Sequence, residues 1–116
     1  MNYLTCDPFA FDLVSRQVYR QSEPIELTSK EFDLALYLFS NREAIIPRKQ
    51  LLEAVWDTTA DIHTRTVDAH ISRLRQKLKL GSTRWQICSI YKHGYSLREN
   101  QTATEKTSFT TTEIET

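Results

Sequence analysis

The chain has 116 residues, with 15 Lys plus Arg against 15 Asp plus Glu, two cysteines and a formal net charge of zero. This length allows one domain with a modest core and excludes two domains. The longest apolar stretches fall far short of the roughly 20 residues that span a bilayer, and the N-terminus lacks the basic and apolar segments of a signal peptide. Two isolated cysteines, Cys6 and Cys88, fit a reducing cytoplasm better than a disulfide scaffold.

The charges are distributed unevenly along the chain. Between His63 and Arg98 eight cations accompany one acid, Asp68, for a sum of +7, and the remaining residues sum to −7. Nucleic-acid-binding domains are usually basic, so a net charge of zero by itself argues against one. The split instead predicts a polarised field, in which one face attracts a polyanion. The alternative, a basic helix that is merely solvated, stays open from the charges alone.

Apolar residues near the N-terminus alternate with polar ones in short runs. The runs cover residues 9–13, 18–19 and 25–27, and polar or Pro-containing breaks separate them. This pattern predicts two or three short antiparallel strands joined by turns.

Two helices are predicted next. Thr28 and Glu31 have the spacing of a capping box, in which two side chains satisfy backbone N–H groups reciprocally. Apolar residues then recur at helical spacing up to residues 41–43, which predicts a core helix of about three turns. Pro47 suits the start of a second helix, because its missing N–H is not needed there. The buried side of that second helix is predicted to consist of Leu51, Leu52, Val55 and Trp56.

A third helix follows the polar, unpatterned residues 57–63. Its apolar positions recur at i, i+4, i+7 and i+11 and form one narrow stripe. That stripe consists of Val67, Ile71, Leu74 and Leu78. The opposite face combines small and basic side chains, namely Arg65, Ala69, Ser72, Arg73 and Gln76. Gly81 is predicted to provide the left-handed C-cap of this helix.

The last apolar runs, in residues 85–90 and 95–97, flank a turn that contains Gly94. Glycine adopts a positive φ readily, so the pattern predicts a hairpin with cations at and near its tip. Residues 99–116 are poor in apolar residues and rich in Thr, which predicts a disordered tail. We therefore expect a single domain over residues 1–98.

Three helices followed by a hairpin, with a basic outer face on the third helix, form the layout of a winged helix-turn-helix. A helix 10–12 Å across fits the major groove, and a hairpin beside it reaches the flanking backbone. Over about residues 8–98 the chain resembles the DNA-binding domain of OmpR/PhoB-type response regulators, through the segments LTSKEFDLALYLFSN, LLEAVW, RTVDAHISRLRQKL and HGYSL. The resemblance implies an α+β fold with a four-stranded N-terminal antiparallel sheet, three helices and a C-terminal wing.

The resemblance also implies a function, sequence-specific binding of double-stranded DNA to control transcription. The recognition helix, residues 64–79, would enter the major groove, and the wing, residues 86–98, would lie on the flanking backbone. By matching position, the implied base contacts are Asp68, Ala69, Ser72 and Arg73. The implied backbone contacts are Trp56, Arg65, Thr66, His70, Arg75, Lys92 and Tyr95. For Trp56 and Tyr95, simple core packing is an equally weighted alternative.

Further partners follow from the same resemblance. The loop at residues 57–63 matches the family's transactivation loop, and its expected RNA polymerase contacts are Asp57, Thr58, Thr59 and Asp61. A receiver domain and a sensor kinase are expected in the full-length cytoplasmic protein, with a homodimer on direct-repeat DNA and a monomer in isolation. No receiver-sized segment precedes Met1, so we expect an excised effector domain or a truncated regulator.

The chain departs from the family pattern in its wing. Many members carry an Arg-Gly-x-Gly-Tyr wing whose Arg enters the minor groove, whereas here the stretch is Tyr91-Lys92-His93-Gly94-Tyr95. Lys92 or His93 remains as the cation, but lysine lacks the planar fork of arginine. We therefore expect the wing to anchor the domain on DNA more than it discriminates between base sequences. Pro47 also replaces the Ser cap that is usual at the second helix.

Two other functional classes are alternatives to DNA binding. His63, His70 and His93 follow no catalytic or metal-ligand spacing, and Gly81 and Gly94 form no phosphate loop, so we expect no enzyme activity, metal or cofactor. The second alternative is a winged-helix interaction module that contacts RNA polymerase or another regulator without specific DNA binding. Only DNA binding is expected to weaken steeply with salt.

Overall fold

The described residues, 2–56 and 65–99 of the computed structural model, begin with four strands in an antiparallel meander. The strands are β1 (Tyr3–Cys6), β2 (Phe9–Asp12), β3 (Gln17–Arg20) and β4 (Glu23–Ile25), and neighbours in sequence are neighbours in the sheet. The residue pattern missed β1, because Tyr3 and Thr5 are exposed and only Cys6 is buried, which leaves little alternation to detect. The four-stranded sheet implied by the resemblance is confirmed.

The first helix, α1 (Ser29–Ser40), begins at the predicted capping box. The Glu31 backbone N–H donates to Thr28 Oγ1 at 3.2 Å, and the Thr28 N–H donates to Glu31 Oε1 at 2.9 Å. The apolar side of α1 is fully buried over Phe32, Leu34, Ala35, Leu38 and Phe39. The predicted core helix is thus confirmed at both ends.

The second helix, α2 (Arg48–Trp56), starts directly after Pro47. The Pro47 carbonyl accepts from the Leu51 N–H at 3.1 Å, so the proline contributes to the first turn, where a donor is not required. Leu51, Leu52 and Val55 are buried as predicted, and Trp56 packs partly buried against the core.

The third helix, α3 (Arg65–Lys77), buries its predicted apolar stripe completely. It ends two residues earlier than the expected range of 64–79, and Thr64 lies outside the described residues. The prediction that Gly81 caps α3 was wrong: Lys79 adopts the left-handed conformation, with φ of 52°, and Gly81 lies in the short 3₁₀ turn Leu80–Ser82. The chain turns this early because both Leu78 and Leu80 are buried.

The wing is an antiparallel hairpin of β5 (Trp85–Ile90) and β6 (Gly94–Glu99). Gly94 has φ of 135°, and a Cβ at this position would overlap the carbonyl oxygen of Ile46. Ile46 bridges to β6, with its N–H donating to the Tyr95 carbonyl at 2.8 Å and its carbonyl accepting from the Tyr95 N–H at 3.0 Å. The predicted glycine turn is therefore confirmed, and the segment before α2 holds it against the body of the domain.

Aromatic rings at the centre of the core join the sheet, α1 and the wing. Phe39 of α1 contacts Phe9 of β2 and Trp85 of β5, with ring centroids 5.6 Å and 5.7 Å apart. Cys6 is buried and Cys88 is partly buried, and both are free thiols. No helix among the described residues is long and apolar enough to span a membrane. The predictions for Asp57, Thr58, Thr59 and Asp61 lie outside the described residues. The tail predicted at residues 99–116 also lies outside them except for Glu99, which is the last residue of β6 and not part of a tail.

Candidate nucleic-acid interface

The face of α3 that points away from the core is exposed, as its sequence pattern predicts. The exposed side chains are Arg65, Ala69, Ser72, Arg73 and Gln76. Among the described residues, the guanidinium of Arg73 has no hydrogen bond or ion pair. Its planar set of donors is therefore available to a ligand, and the small side chains of Ala69 and Ser72 leave room for close approach.

The Asp68 carboxylate, one turn before Ser72 on α3, is held by two donors. Its Oδ1 accepts from the Tyr95 hydroxyl at 2.5 Å and from the Arg48 Nε at 2.7 Å. Burial disfavours the charged form, but these two bonds outweigh burial and hold the pKa of Asp68 below its ordinary value. The carboxylate is thus ionised at neutral pH with one oxygen already engaged.

Tyr95, predicted to contact a phosphate or to pack in the core, is 4% exposed. Its hydroxyl proton is donated to Asp68, and burial together with this bond raises the pKa of the phenol. The Cζ atoms of Arg48 and Arg75 lie 5.2 Å and 5.9 Å from the Tyr95 ring centroid. A phenol has one proton and an ionised phosphate oxygen only accepts, so in this geometry Tyr95 has no proton left for a phosphate.

Arg75 connects α3 to the wing. Its Nη2 donates to the Ile87 carbonyl at 2.6 Å and lies 3.3 Å from Ser89 Oγ. The guanidinium carries five N–H donors, so the remaining ones are available to a phosphate. The structure therefore gives this predicted contact residue an additional role in seating the hairpin.

Thr66, His70 and Trp56, all predicted backbone contacts, form a local cluster at the start of α3. The Nδ1 of His70 lies 2.9 Å from the Thr66 carbonyl oxygen, and the imidazole stands edge-on to Trp56 with ring centroids 4.9 Å apart. Because a carbonyl only accepts, Nδ1 must carry a hydrogen. Donation to a phosphate from Nε2 would then require the doubly protonated ring.

The tip of the wing is strongly exposed. Tyr91 is 84% exposed, and Lys92 adopts a positive φ of 65° with its Nζ 5.5 Å from the Tyr91 ring centroid. The His93 N–H donates to the Ile90 carbonyl at 2.9 Å and closes the turn. Lys92 has no ion pair within the described residues, so its charge is available as predicted for a backbone contact.

Arg48 is the residue of this surface that the sequence interpretation missed. It lies in the first turn of α2, 20 positions from Asp68 in sequence. A signal was present: Arg48 and Lys49 stand at a helix N-terminus, where the helix dipole disfavours cations. For Arg48, the Asp68 carboxylate 2.7 Å from its Nε offsets this unfavourable position.

A family model and curated relatives both match this chain. The family described as "Transcriptional regulatory protein, C terminal" matches residues 22–97. The transcriptional regulatory protein CiaR of Streptococcus pneumoniae is 30% identical over 100 residues, covering 86% of this chain and 45% of CiaR. The phosphate regulon transcriptional regulatory protein PhoB of Rhizobium meliloti is 34% identical over 94 residues, covering 81% of this chain and 41% of PhoB. The chain thus spans less than half the length of these relatives.

Solved structures share the architecture. The DNA-binding domain of RstA from Klebsiella pneumoniae, solved in complex with the RstA box, has a TM-score of 0.74 at 29% identity and covers 84% of this chain and 98% of that one. DrrB of Thermotoga maritima, an OmpR/PhoB homologue, has a TM-score of 0.72 at 26% identity, covering 84% of this chain and 44% of DrrB. These similarities confirm the predicted winged helix-turn-helix and the predicted resemblance. The chain belongs to the family of transcriptional regulatory protein C-terminal domains, which is not an enzyme family.

Proposed function

We propose that this chain is a sequence-specific, double-stranded DNA-binding effector domain that controls transcription. The observation that carries the proposal is the exposed basic face of α3, on which the Arg73 guanidinium has no partner among the described residues. This face belongs to the segment from His63 to Arg98, which has a net charge of +7, whereas the rest of the chain sums to −7. A polyanion is the partner that fits this charge separation.

Base recognition is assigned to the middle of α3. The fork of Arg73 matches O6 and N7 of guanine, a pairing that contributes roughly 1–3 kcal/mol of discrimination. Asp68 is ionised and accepts only, which suits a cytosine amino group. Ala69 and Ser72 are small and exposed, and allow the helix to lie deep in the major groove.

Backbone contacts are assigned to the rim of the same surface. Arg65 and Lys92 are exposed cations at the start of α3 and at the wing tip. Thr66, His70, Arg75 and Trp56 remain candidates, with Arg75 contributing the N–H groups that the wing does not use. These contacts contribute to the affinity for every duplex without giving sequence preference, because phosphates are the same in every duplex.

The wider context is also part of the proposal. The curated relatives are transcriptional regulatory proteins of roughly twice this length, and the chain matches less than half of each. A cytoplasmic response regulator with a receiver domain and a sensor kinase fits this match. Head-to-tail dimers on direct-repeat DNA, with RNA polymerase as a further partner, fit the same context.

The test is selection of binding sites from random duplex DNA at low salt, followed by affinity measurements on the selected duplex between 50 and 200 mM salt. We expect an enriched motif and a log–log salt slope of about −0.9 for each phosphate contact. A control duplex of scrambled sequence should bind more weakly with a similar slope. No enrichment, with binding to RNA polymerase intact, would contradict the proposal and favour the interaction module.

A further inference from the structure

Three parts of the domain converge on one oxygen atom of Asp68. Arg48 approaches it from the first turn of α2, Tyr95 approaches it from the wing, and Asp68 itself belongs to α3. Both donors share Oδ1, at 2.7 Å and 2.5 Å. Among the described residues, no hydrogen bond to the second oxygen, Oδ2, is formed, and the charge of Arg65 further favours the ionised carboxylate. The Asp68 side chain is 41% exposed, so part of it is accessible to solvent.

The Tyr95 side chain is also fixed by contacts other than its bond to Asp68. The Tyr95 ring is buried, with the Cζ atoms of Arg48 and Arg75 at 5.2 Å and 5.9 Å from its centroid. Arg75 additionally ties α3 to the Ile87 carbonyl of β5. Tyr95 is further fixed by its paired backbone bonds to Ile46. The hydroxyl that donates to Asp68 therefore belongs to a side chain that is buried and in contact with α2, α3 and the segment before α2.

We infer that Tyr95 and Arg48 are positioning residues that preset the Asp68 carboxylate for base recognition, with Oδ2 as the recognising oxygen. The inference rests on the proposed DNA-binding function and deepens it. A free aspartate on a helix surface samples several rotamers, whereas two donors on one oxygen select a single orientation. Oδ2 is then the acceptor that an exocyclic amino group of cytosine or adenine meets in the major groove.

This assignment differs from a direct role for Tyr95 at the DNA backbone. A phosphate contact needs the hydroxyl proton, which is donated to Asp68, so the two roles exclude each other. A phosphate contact would lower the affinity for every duplex when removed. A positioning role instead affects one base pair only, through Asp68.

The consequence is that the wing and base recognition are coupled. Any displacement of β6 moves the Tyr95 hydroxyl and releases one of the two donors on Oδ1. Sequence preference at one base pair should therefore respond to changes in the wing that touch no base.

The experiment compares Tyr95→Phe with Asp68→Asn on the selected duplex and on variants of it in which each base pair is changed singly. Tyr91→Phe is the matched control, because it removes a hydroxyl from an exposed tyrosine of the same wing. Asp68→Asn should abolish discrimination at one base pair. Tyr95→Phe should reduce discrimination about fivefold at that same pair, the size of one hydrogen bond's net contribution, and leave the salt slope unchanged. Tyr91→Phe should retain the discrimination.

A second variant, Arg48→Met, keeps the aliphatic stem over Tyr95 and removes the other donor. It should weaken discrimination at the same base pair, and thermal unfolding establishes that each variant is folded. A uniform loss of affinity with a shallower salt slope for Tyr95→Phe would overturn the inference, as would an unchanged preference in either variant. Failure of the wild-type domain to select any duplex would instead contradict the proposed function itself.

Discussion

The Lys77 ammonium, in the last turn of α3, lies 2.7 Å from Oε1 of Glu31, in the first turn of α1. The same Glu31 oxygen accepts from the Thr28 N–H in the capping box. Glu31 is only 1% exposed. The pair therefore links α3, the helix proposed to contact DNA, to the buried start of α1. One carboxylate thus both starts α1 and anchors the end of α3.

The two partners of this pair should respond differently to substitution. Lys77→Met leaves the Glu31 carboxylate buried without its cation, whereas Glu31→Gln removes the charge and keeps an oxygen for the capping box. We expect Lys77→Met to lower the free energy of unfolding by about 1–3 kcal/mol and Glu31→Gln to lower it by less. Urea unfolding monitored by circular dichroism measures both. Equal losses would contradict the idea that the unpaired charge dominates.

Stability should also fall with acid through Glu31. Burial disfavours the charged form, but the bonds from Lys77 and the Thr28 N–H outweigh burial and hold the pKa of Glu31 below its ordinary value. A carboxyl with a lowered folded-state pKa stabilises the fold above its unfolded pKa, and this contribution is lost as the pH falls through the folded value. Unfolding free energies measured from pH 7 down to pH 3 should decline. Glu31→Gln should show a shallower decline, and an identical profile would exclude Glu31 as the source.

Arg73 and Arg65 should contribute to different parts of DNA binding. Arg73→Ala should remove sequence preference and retain much of the nonspecific affinity, whereas Arg65→Ala should weaken binding to every duplex. Arg73→Lys is the control, because it keeps the charge but loses the planar fork and should also lose preference. Affinities for the selected and scrambled duplexes distinguish these outcomes. Equal effects of both alanine variants on every duplex would contradict the division of roles.

Lys92 should act as a point charge at the wing tip. Lys92→Ala should make the log–log salt slope shallower by about 0.9, the value for one phosphate contact, without changing the preferred sequence. Lys92→Arg should keep the slope, because the charge is retained. A salt titration of affinity on the selected duplex measures this change. An unchanged slope for the alanine variant would remove Lys92 from the contact surface.

The two glycines should differ sharply in their tolerance of a methyl group. Gly94→Ala places a Cβ against the Ile46 carbonyl at φ of 135°, so we expect a loss of about 2–4 kcal/mol in unfolding free energy. Gly81→Ala is the matched control, because no atom lies within 4 Å of the added Cβ. It should be neutral or slightly stabilising. Similar losses at both positions would show that the close approach to Ile46 is not what requires glycine.

Much of the fold follows from periodicity and local chemistry. The capping box predicted the start of α1, and the stripe from Val67 to Leu78 predicted the buried face of α3. In both cases the informative residues lie within a few positions of one another, so the helical period alone brings them together. The strand β1 escaped detection for the converse reason, because Tyr3 and Thr5 face solvent and its burial depends on a neighbouring strand.

The end of α3 shows where local rules fail. Glycine is the usual left-handed cap, and Gly81 was the local candidate, but the chain turns at Lys79. Leu80 must reach the core after Leu78, and this tertiary demand outweighs the cost of a positive φ at a lysine. A propensity rule has no information about that demand.

The sequence by itself determined which face of each helix is buried and that the positive charge is concentrated between His63 and Arg98. It also placed Arg73 and Ser72 on the outward face of α3. Only the tertiary structure decided that Tyr95 donates its proton to Asp68, that Arg48 shares the same oxygen, and that Lys77 reaches Glu31. The physical reason is sequence separation: these partners are 20 to 46 positions apart, and no local period brings such residues together. Packing of α1, α2 and the wing against α3 creates those contacts, and with them the geometry of the proposed recognition surface.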